Sequence, residues 1–375
     1  LDTSMRLFSR ATIRQGTPGG MLVFVSKKFL AWIAIFVFLF YIVKMIRMPW
    51  KVRQFQYQLI DFSYAYPKSE QDTRPPKQVL LWDYFFLTDM AGVLNKKQCE
   101  YTCQYYHRGG LDAADADAII FHMRSFLYFF KHIPHVRRPE QYYIAYEREP
   151  PHFVGEGARW VPGDFFNATM GYKMDPRTYY LGYGRVKKAI TPFENSRLTP
   201  VSDEEFEEIY ARKIGMTYIM VSNCVLVPSK RDEYAVELAD YINMTVVGGC
   251  DDLFTNNATT TRKECERTDD NCDVNMSRDH FFNVAFENSV CSSYTSEKYY
   301  RNEFDTVPIV LRRSIARQSV PEGSFIAADD FNSPRELAEY LKMVAANKTL
   351  YREYFRWRDE YYFADRSEGL CQLCR

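Results

Sequence analysis

From residue 78 onward one pattern recurs: a short run of consecutive apolar residues, a polar segment, then another run. The runs are "QVLLWDYFF" (Gln78–Phe86), "DAIIFHM" (Asp117–Met123), "YYIAYE" (Tyr142–Glu147), "MTYIMVSNC" (Met216–Cys224), "FFNVAFEN" (Phe281–Asn288), "TVPIVL" (Thr306–Leu311) and "SFIAADDF" (Ser324–Phe331). A strand with one wet face alternates apolar and polar residues. Unbroken runs require cover on both faces, which is the condition of a parallel sheet flanked by helices. Helical segments lie between several of the runs. "SDEEFEEIYARKIG" opens with Ser202 and Glu205 at capping-box spacing, and "RDEYAVELADYI" and "SEKYYRNEF" follow. In "SPRELAEYLKMV", Ser333 is the cap, Pro334 takes the first helical position, Glu336 closes the box, and Leu337, Leu341 and Val344 share a face. The expectation is an α/β chain with two sheets, and its 375 residues suit two domains at about 150 residues each.

The segment before residue 78 has a different character. "FLAWIAIFVFLFYIV" (Phe29–Val43) carries no charge. It reaches about 18 residues if Lys44 snorkels and Met45 and Ile46 are counted, the short end of a spanning helix. Lys44 follows the apolar run directly and no small-residue cleavage site does, which favours an uncleaved signal anchor over a removed leader. Residues 1–28 then form a basic cytosolic tail, 29–46 the anchor, and 47–75 a polar, Tyr-rich stem closing on a Pro pair. Five N-x-S/T sequons, at Asn167, Asn243, Asn257, Asn275 and Asn347, together with nine cysteines, place the bulk of the chain in an oxidising lumen. Formal net charge is zero, so the electrostatic footprint of a nucleic-acid binder is absent.

One stretch carries an unusual order of groups: "FENSVCSSYTSEKYYRN" (Phe286–Asn302). Glu287 and Asn288 follow an apolar run, and Tyr294, Glu297 and Lys298 come shortly after. Glu297 and Lys298 read either as a surface ion pair or as part of a site, with Lys298 and a helix N-terminus facing a phosphate. Arg231 lies between "VSNC" and a helical segment. Such a junction is the usual anion position in open α/β sheets, although a solvated helix-flanking Arg has the same local sequence. Glu147 and Glu149 in "YEREPPHF" read as loop decoration or, if one is buried against a hydroxyl, as a general base. "DAADADA" contains D-x-D, a metal-binding pattern in many sugar-nucleotide enzymes, yet it leads straight into an apolar run. Asp112, Asp115 and Asp117 therefore read as a turn and cap. Cys99, Cys103, Cys371 and Cys374 have spacings that admit a zinc site or disulfides, and the lumen favours disulfides; nine cysteines leave at least one unpaired within the chain. A P-loop and a nucleophile elbow are both missing from the sequence.

These motifs, in this order, resemble the animal α1,3-fucosyltransferases. "FENSVCSSYTSEKYYRN", "VPIVL", "SFIAADDF", "SPRELAEYL" and "YFRWR" are similar to the donor-binding half. "LLWDYFF", "ADAIIFHMR", "EREPPH", "FNATMGYKMD" and "VSNC" are similar to the first half, and the terminal C-x-x-C also fits. The resemblance covers roughly residues 78–374. It implies a GT-B architecture, two Rossmann-like domains facing across a cleft: residues 76–205 on the acceptor side, 206–345 binding GDP-fucose, and 346–375 returning to the first domain. It implies transfer of fucose from GDP-fucose to O3 of GlcNAc on N-glycans or related glycoconjugates with inversion, in a type II Golgi membrane protein that could pair as a homodimer through its stem. No cofactor or metal is built in, and a divalent cation would stimulate without being held. Fixed cations must then stabilise the GDP leaving group. On this resemblance Arg231 and Lys298 hold the pyrophosphate. Ser222, Asn223, Asn288 and Tyr294 contact nucleotide or fucose, Glu297 stabilises the oxocarbenium-like sugar, and Glu149 is the general base with Glu147 a decoy. The C-terminal pair Cys371 and Cys374 would tie back to Cys99 and Cys103.

The sequence departs from the family pattern at five places. Ser296 stands where the family has Thr, Ser293 where Asp is common, Asn283 where an aromatic is frequent, and Pro150 after Glu149 where Ser is expected. "EFDTVPIVLRR" lacks the usual Gly after the strand. Two other functions fit parts of the sequence: an anchored glycan-binding relative without turnover, and a metal-dependent GT-A transferase using the D-x-D.

Overall fold

The computed structural model describes residues 75–374 apart from 84–89, 96–100, 127–132, 155–160, 176–177, 225–226, 256, 266–269 and 365–367. The expected tail, anchor and most of the stem lie outside these residues. Among the described residues no helix is long and apolar enough to cross a membrane.

Two six-stranded sheets organise the chain, each parallel throughout. The first is built from β1 (Lys77–Leu81), β2 (Cys103–His107), β3 (Ala118–His122), β4 (Tyr142–Glu147), β5 (Ala168–Gly171) and β6 (Thr178–Tyr180), in the order β2-β1-β3-β4-β5-β6. After β7 (Arg185–Lys188) the second sheet follows, with β8 (Gly215–Met220), β9 (Met244–Val247), β10 (Thr260–Lys263), β11 (His280–Val284), β12 (Val307–Val310) and β13 (Ile326–Ala327) in the order β10-β9-β8-β11-β12-β13. Each apolar run supplies one strand. Every residue of β3 and of β12 is buried, as strands covered on both faces must be.

The chain reverses direction across each sheet at one place: between β1 and β3 in the first, and between β8 and β11 in the second. At such a switch point the two connecting loops leave on opposite faces and open a crevice beyond the strands' carboxyl ends. The second core gathers Phe206, Ile209, Ile219, Leu238, Phe282, Ile309, Leu337, Leu341 and Tyr351. Helix Asp203–Ala211 packs Phe206 and Ile209 into this core, and its cap Ser202 accepts the Glu205 N–H. Helix Pro334–Ala346 starts as expected, with Ser333 accepting from Glu336 N–H and Leu337, Leu341 and Val344 buried. The box is not closed on Ser333, because the Glu336 carboxylate instead takes the N–H of Asn332 at 2.9 Å.

The C-terminal segment crosses back. β14 (Tyr361–Ala364) pairs antiparallel with β7. Helix Glu368–Cys374 places Leu370 and Cys374 in the first core beside Tyr105. A Cys103–Cys374 disulfide fixes the return to edge strand β2, and Cys371 is also disulfide-bonded. The expected tie of the tail to the first domain holds for this pair, while Cys99 lies outside the described residues. Two further disulfides join Cys224 to Cys250 and Cys265 to Cys272, and Cys291 is free.

Of the sequons, Asn167, Asn243, Asn275 and Asn347 are exposed. Asn257 is not: it is 9% exposed, and its amide nitrogen donates to Val236 O at 3.1 Å and to Asp240. That nitrogen is the atom to which a glycan would be attached. The D-x-D turn sits as the sequence suggested. Asp112 accepts from Ala114 N–H and Asp117 from Gln78 N–H, at the amino end of β3 and away from the crevice.

Candidate active site

Segments that follow β4 and β11 bring two of the expected residues, Asn288 and Tyr294, onto one carboxylate. Glu149 lies two residues beyond β4. Its Oε1 accepts from the Tyr183 hydroxyl at 2.8 Å, and its Oε2 accepts from the Tyr294 hydroxyl at 3.1 Å and from Asn288 Nδ2 at 3.3 Å. Asn288 and Tyr294 come from the second half of the chain, so Glu149 joins the two halves. Burial pushes both phenols well above their ordinary value, and nearby carboxylates push the same way. They stay protonated and act as donors. Tyr183 was not foreseen. It lies in the connector after β6 with no local signal, and the Arg148 guanidinium stacks 4.0 Å over its ring.

Glu147 is committed differently. Its Oε1 takes the N–H groups of Arg148 at 3.0 Å and Glu149 at 2.9 Å, so it braces the backbone that carries Glu149. Burial raises its pKa, against the pull of the Glu149 N–H.

The donor-side cations are engaged within the protein. Arg231 is 2% exposed. Its guanidinium donates to Phe286 O at 3.1 Å, Asn223 O at 2.6 Å and Asp232 Oδ1 at 3.3 Å. A buried guanidinium must satisfy its N–H groups where it lies, and here it pins the loops after β8 and β11. Those loops present Ser222 and Asn223, both exposed, at the switch point. Gly248, at the end of β9, has φ +105°, and a Cβ there would stand 2.3 Å from Val221 O, so only glycine permits this approach beside Ser222.

Lys298 Nζ lies 3.1 Å from Glu297 Oε1, 3.0 Å from Ser296 Oγ and 3.7 Å from Glu287 Oε2. Burial would raise the Glu297 pKa, but Lys298 and Arg301 prevail and hold it down to about 2. Glu287, more deeply enclosed, is raised by burial despite Lys298, and its Oε1 receives the Ser296 N–H at 2.7 Å. The helix that begins at Glu297 runs only to Tyr300 before tightening to a 3₁₀ turn, so its dipole adds little and the charge there is carried by side chains.

Two of the sequence departures have structural roles. Asn283 is fully buried, and its Nδ2 donates to Lys298 O at 2.6 Å, tethering the Lys298 segment to β11 where an aromatic residue could not. Ser293 has φ 60°, a conformation that Asp and Asn tolerate best among non-glycine residues, and its N–H is held by Gln318 Oε1 at 3.0 Å. A small cavity of about 30 Å³ next to this turn is lined by Glu287, Tyr294, Thr295, Arg312 and Ile315, among others. Arg312, another residue not foreseen, has a side chain 58% exposed, with Asp329 at 3.9 Å. Among the described residues no group of three or more His, Cys, Asp or Glu is arranged to hold a metal ion.

This geometry can be set beside known proteins. Residues 74–184 match the N-terminal fucosyltransferase model, and residues 210–375 match the C-terminal model of glycosyltransferase family 10 (fucosyltransferase). The α-(1,3)-fucosyltransferase fut-1 of Caenorhabditis elegans is 30% identical over 281 residues, which make up 70% of this chain and 58% of that one. The α-(1,3)-fucosyltransferase C of Drosophila melanogaster is 28% identical over 330 residues, 81% of this chain and 74% of that one. Human α-(1,3)-fucosyltransferase 7 is 27% identical, covering 82% and 83%. A crystal structure of an α1,3-fucosyltransferase with GDP-fucose shares the fold at a TM-score of 0.51 and 14% identity, over 82% of this chain and 93% of that one.

Proposed function

This chain belongs to glycosyltransferase family 10, and we propose that it transfers fucose from GDP-fucose to O3 of a GlcNAc residue with inversion, as a lumenal Golgi enzyme. The observation that carries the reading is Glu149: a carboxylate from the first half of the chain held by Asn288 and Tyr294 of the second. The named relatives are α-(1,3)-fucosyltransferases, and one structural neighbour was solved with GDP-fucose.

Each residue then has a task. Glu149 accepts the proton of the acceptor O3 as that oxygen attacks the anomeric carbon. Tyr183 and Tyr294 hold the carboxylate in place by donating to it. Glu297, ionised down to about pH 2, faces the positive charge that develops on the sugar. Lys298 exchanges Glu297 for a phosphate oxygen as the donor enters, and Arg312 is the exposed cation on the same rim. Arg231 acts by fixing the two loops that form the nucleotide crevice. GDP departs as an anion toward these charges, the role a metal plays elsewhere.

A second reading, an anchored glycan-binding relative without turnover, is favoured by one observation: Arg231 and Lys298 are both paired internally. The deciding experiment is fucose transfer by the full chain in detergent, from GDP-fucose to GlcNAc-terminated N-glycan, N-acetyllactosamine and GalNAcβ1,4GlcNAc, with and without EDTA. Transfer that persists in EDTA is expected. GDP binding without transfer to any of the three would favour the second reading, and activity lost in EDTA would return weight to metal-dependent chemistry.

A further inference from the structure

Glu287 is a carboxylate of the site that has no task in the reaction as described so far. It stands three residues past β11, and its side chain is 13% exposed. Its Oε1 receives the Ser296 N–H at 2.7 Å, while its Oε2 is buried and has no hydrogen-bond partner among the described residues. Lys298 Nζ faces that oxygen from 3.7 Å, beyond hydrogen-bond reach. On its other side Lys298 meets Glu297 at 3.1 Å, and the Glu297 side chain is 47% exposed. One cation therefore stands between two unlike carboxylates, one wet and one enclosed. The Tyr294 phenol, kept protonated by burial, comes toward Glu287 from the turn that follows. Arg312 shares with Glu287 the lining of the cavity of about 30 Å³, from the loop after β12. Arg231, at the start of the helix after β8, reaches the backbone beside it at Phe286 O.

We propose that Glu287 is a positioning residue for Lys298: it holds the ammonium in the free enzyme and, when Lys298 turns to the donor diphosphate, takes up one proton from solution on Oε2. The inference rests on the function proposed above and deepens it at the donor phosphates. The two carboxylates respond differently to losing the same cation. Glu297 keeps water on one side and the Arg301 charge nearby, and it stays ionised, its pKa held at about 2. Glu287 is enclosed, and burial already raises its pKa against the pull of Lys298. Moving the ammonium away and bringing a diphosphate in both push further in that direction. A buried carboxylate that loses its counter-charge neutralises rather than persisting as an unpaired ion. The proton passes from water to Oε2, and no bond to carbon or phosphorus changes. Once neutral, Glu287 no longer draws Lys298 back from the phosphate, and its Oε1 goes on accepting the Ser296 N–H. Release of GDP reverses the step. Because the complex binds the extra proton, donor affinity falls as pH rises between the free and bound pKa of Glu287.

Calorimetry of GDP binding to the full chain in detergent, repeated in buffers of different ionisation enthalpy between about pH 7 and 9, counts the protons exchanged. In this range the terminal phosphate of GDP, with a second pKa of about 6, is already ionised and contributes little. The unmodified chain should take up about one proton per GDP, and its Kd should rise with pH by up to about tenfold per unit. Glu287→Gln keeps an oxygen for the Ser296 N–H and cannot titrate, so its uptake should vanish and its Kd should stay flat over the same range. A merely structural Glu287 would change Tm or Kd without changing the proton count. No uptake by the unmodified chain, or the same uptake in Glu287→Gln, overturns the proposal. Should Glu287→Gln not fold, Lys298→Met decides, since Glu287 is then neutral before GDP arrives: loss of uptake supports the proposal and persistent uptake overturns it. If the unmodified chain binds no GDP, the parent reading fails and this inference falls with it. GDP binding and fucose transfer without proton uptake remove this inference alone.

Discussion

Replacing Glu149 by Gln separates chemistry from architecture, because the hydrogen bonds around it are known one by one. The carboxylate accepts from Tyr183 at Oε1 and from Tyr294 and Asn288 at Oε2. A glutamine amide oriented with its oxygen at Oε2 still accepts from the last two. Its nitrogen then donates to the Tyr183 hydroxyl, which rotates to accept. All three contacts survive in weaker, neutral form. The folding cost should stay under about 1 kcal/mol, or ~2–4 °C in Tm for a domain of this size. The loss of a positioned base is far larger, about 10²- to 10⁴-fold in rate, equivalent to about 3–5 kcal/mol. Steady-state kcat with N-acetyllactosamine, GDP affinity by calorimetry and a thermal melt together read out the prediction: kcat falls at least ~100-fold, while GDP affinity and Tm hardly move. Glu147→Gln is the paired control, since its Oε1 bonds its own loop's backbone, and it should lower kcat less than Glu149→Gln. A Glu149→Gln enzyme that keeps a tenth or more of its kcat, or loses GDP affinity in proportion, would refute the assignment of base. If Glu147→Gln were the more damaging, the two roles would have to be exchanged.

Lys298→Ala should raise the KM for GDP-fucose or lower kcat on the order of 100-fold, because a charge-assisted phosphate contact is lost and Glu287 and Glu297 are left facing each other; initial-rate kinetics with varied donor checks it. Asn283→Leu should cost about 1 kcal/mol in a denaturant melt and raise donor KM without changing acceptor KM, since it frees the Lys298 carbonyl from its tether. Lys213 is buried, donates to the carbonyls of Ser277, Arg278 and Asp305, and has its pKa driven down by desolvation from 10.5 to about 7. The unfolded chain therefore binds one more proton than the folded chain between about pH 7 and 10.5, and stability from this group rises with pH across that window. Relative to Lys213→Met, the native protein should gain stability from pH 7 to 9, and parallel melting curves for the two proteins over that range would contradict this.

The fold was legible where physics acts through continuous burial. β3, β4, β8, β11 and β12 announce themselves because most of their residues are apolar and covered on both faces. The edges were not. β10, "TTRK", is mostly exposed, and β6 contributes only Thr178–Tyr180. Such strands owe their conformation to the neighbour they pair with rather than to their own composition. The same limit applies to Asn257. Its sequon is local, but its burial arises from Val236 and Asp240, a turn of helix and a loop away.

The site divides along a similar line. Residue types and their grouping were readable, and Glu149, Asn288 and Tyr294 do meet. Their mutual bonding was not, because it depends on how two domains face each other across about 140 residues of chain, the separation in the Asn288–Glu149 pair being 139. Arg231 marks the sharpest limit. An Arg at a strand–loop–helix junction is as suited to a phosphate as to two carbonyls, and its 2% exposure and its bonds to Asn223 O and Phe286 O could not be read locally. Arg231 bonds two carbonyls and Lys298 pairs with Glu297, so on the proposed function a phosphate has to compete with partners already in place. Donor binding in such a site draws part of its selectivity from the exchange itself. A diphosphate offers Lys298 more than Glu297 does, whereas a monophosphate offers little more than the carboxylate it displaces. GDP should therefore outbind GMP by more than the count of added phosphate contacts alone suggests, and Glu297→Gln, which releases Lys298 beforehand, should narrow that gap.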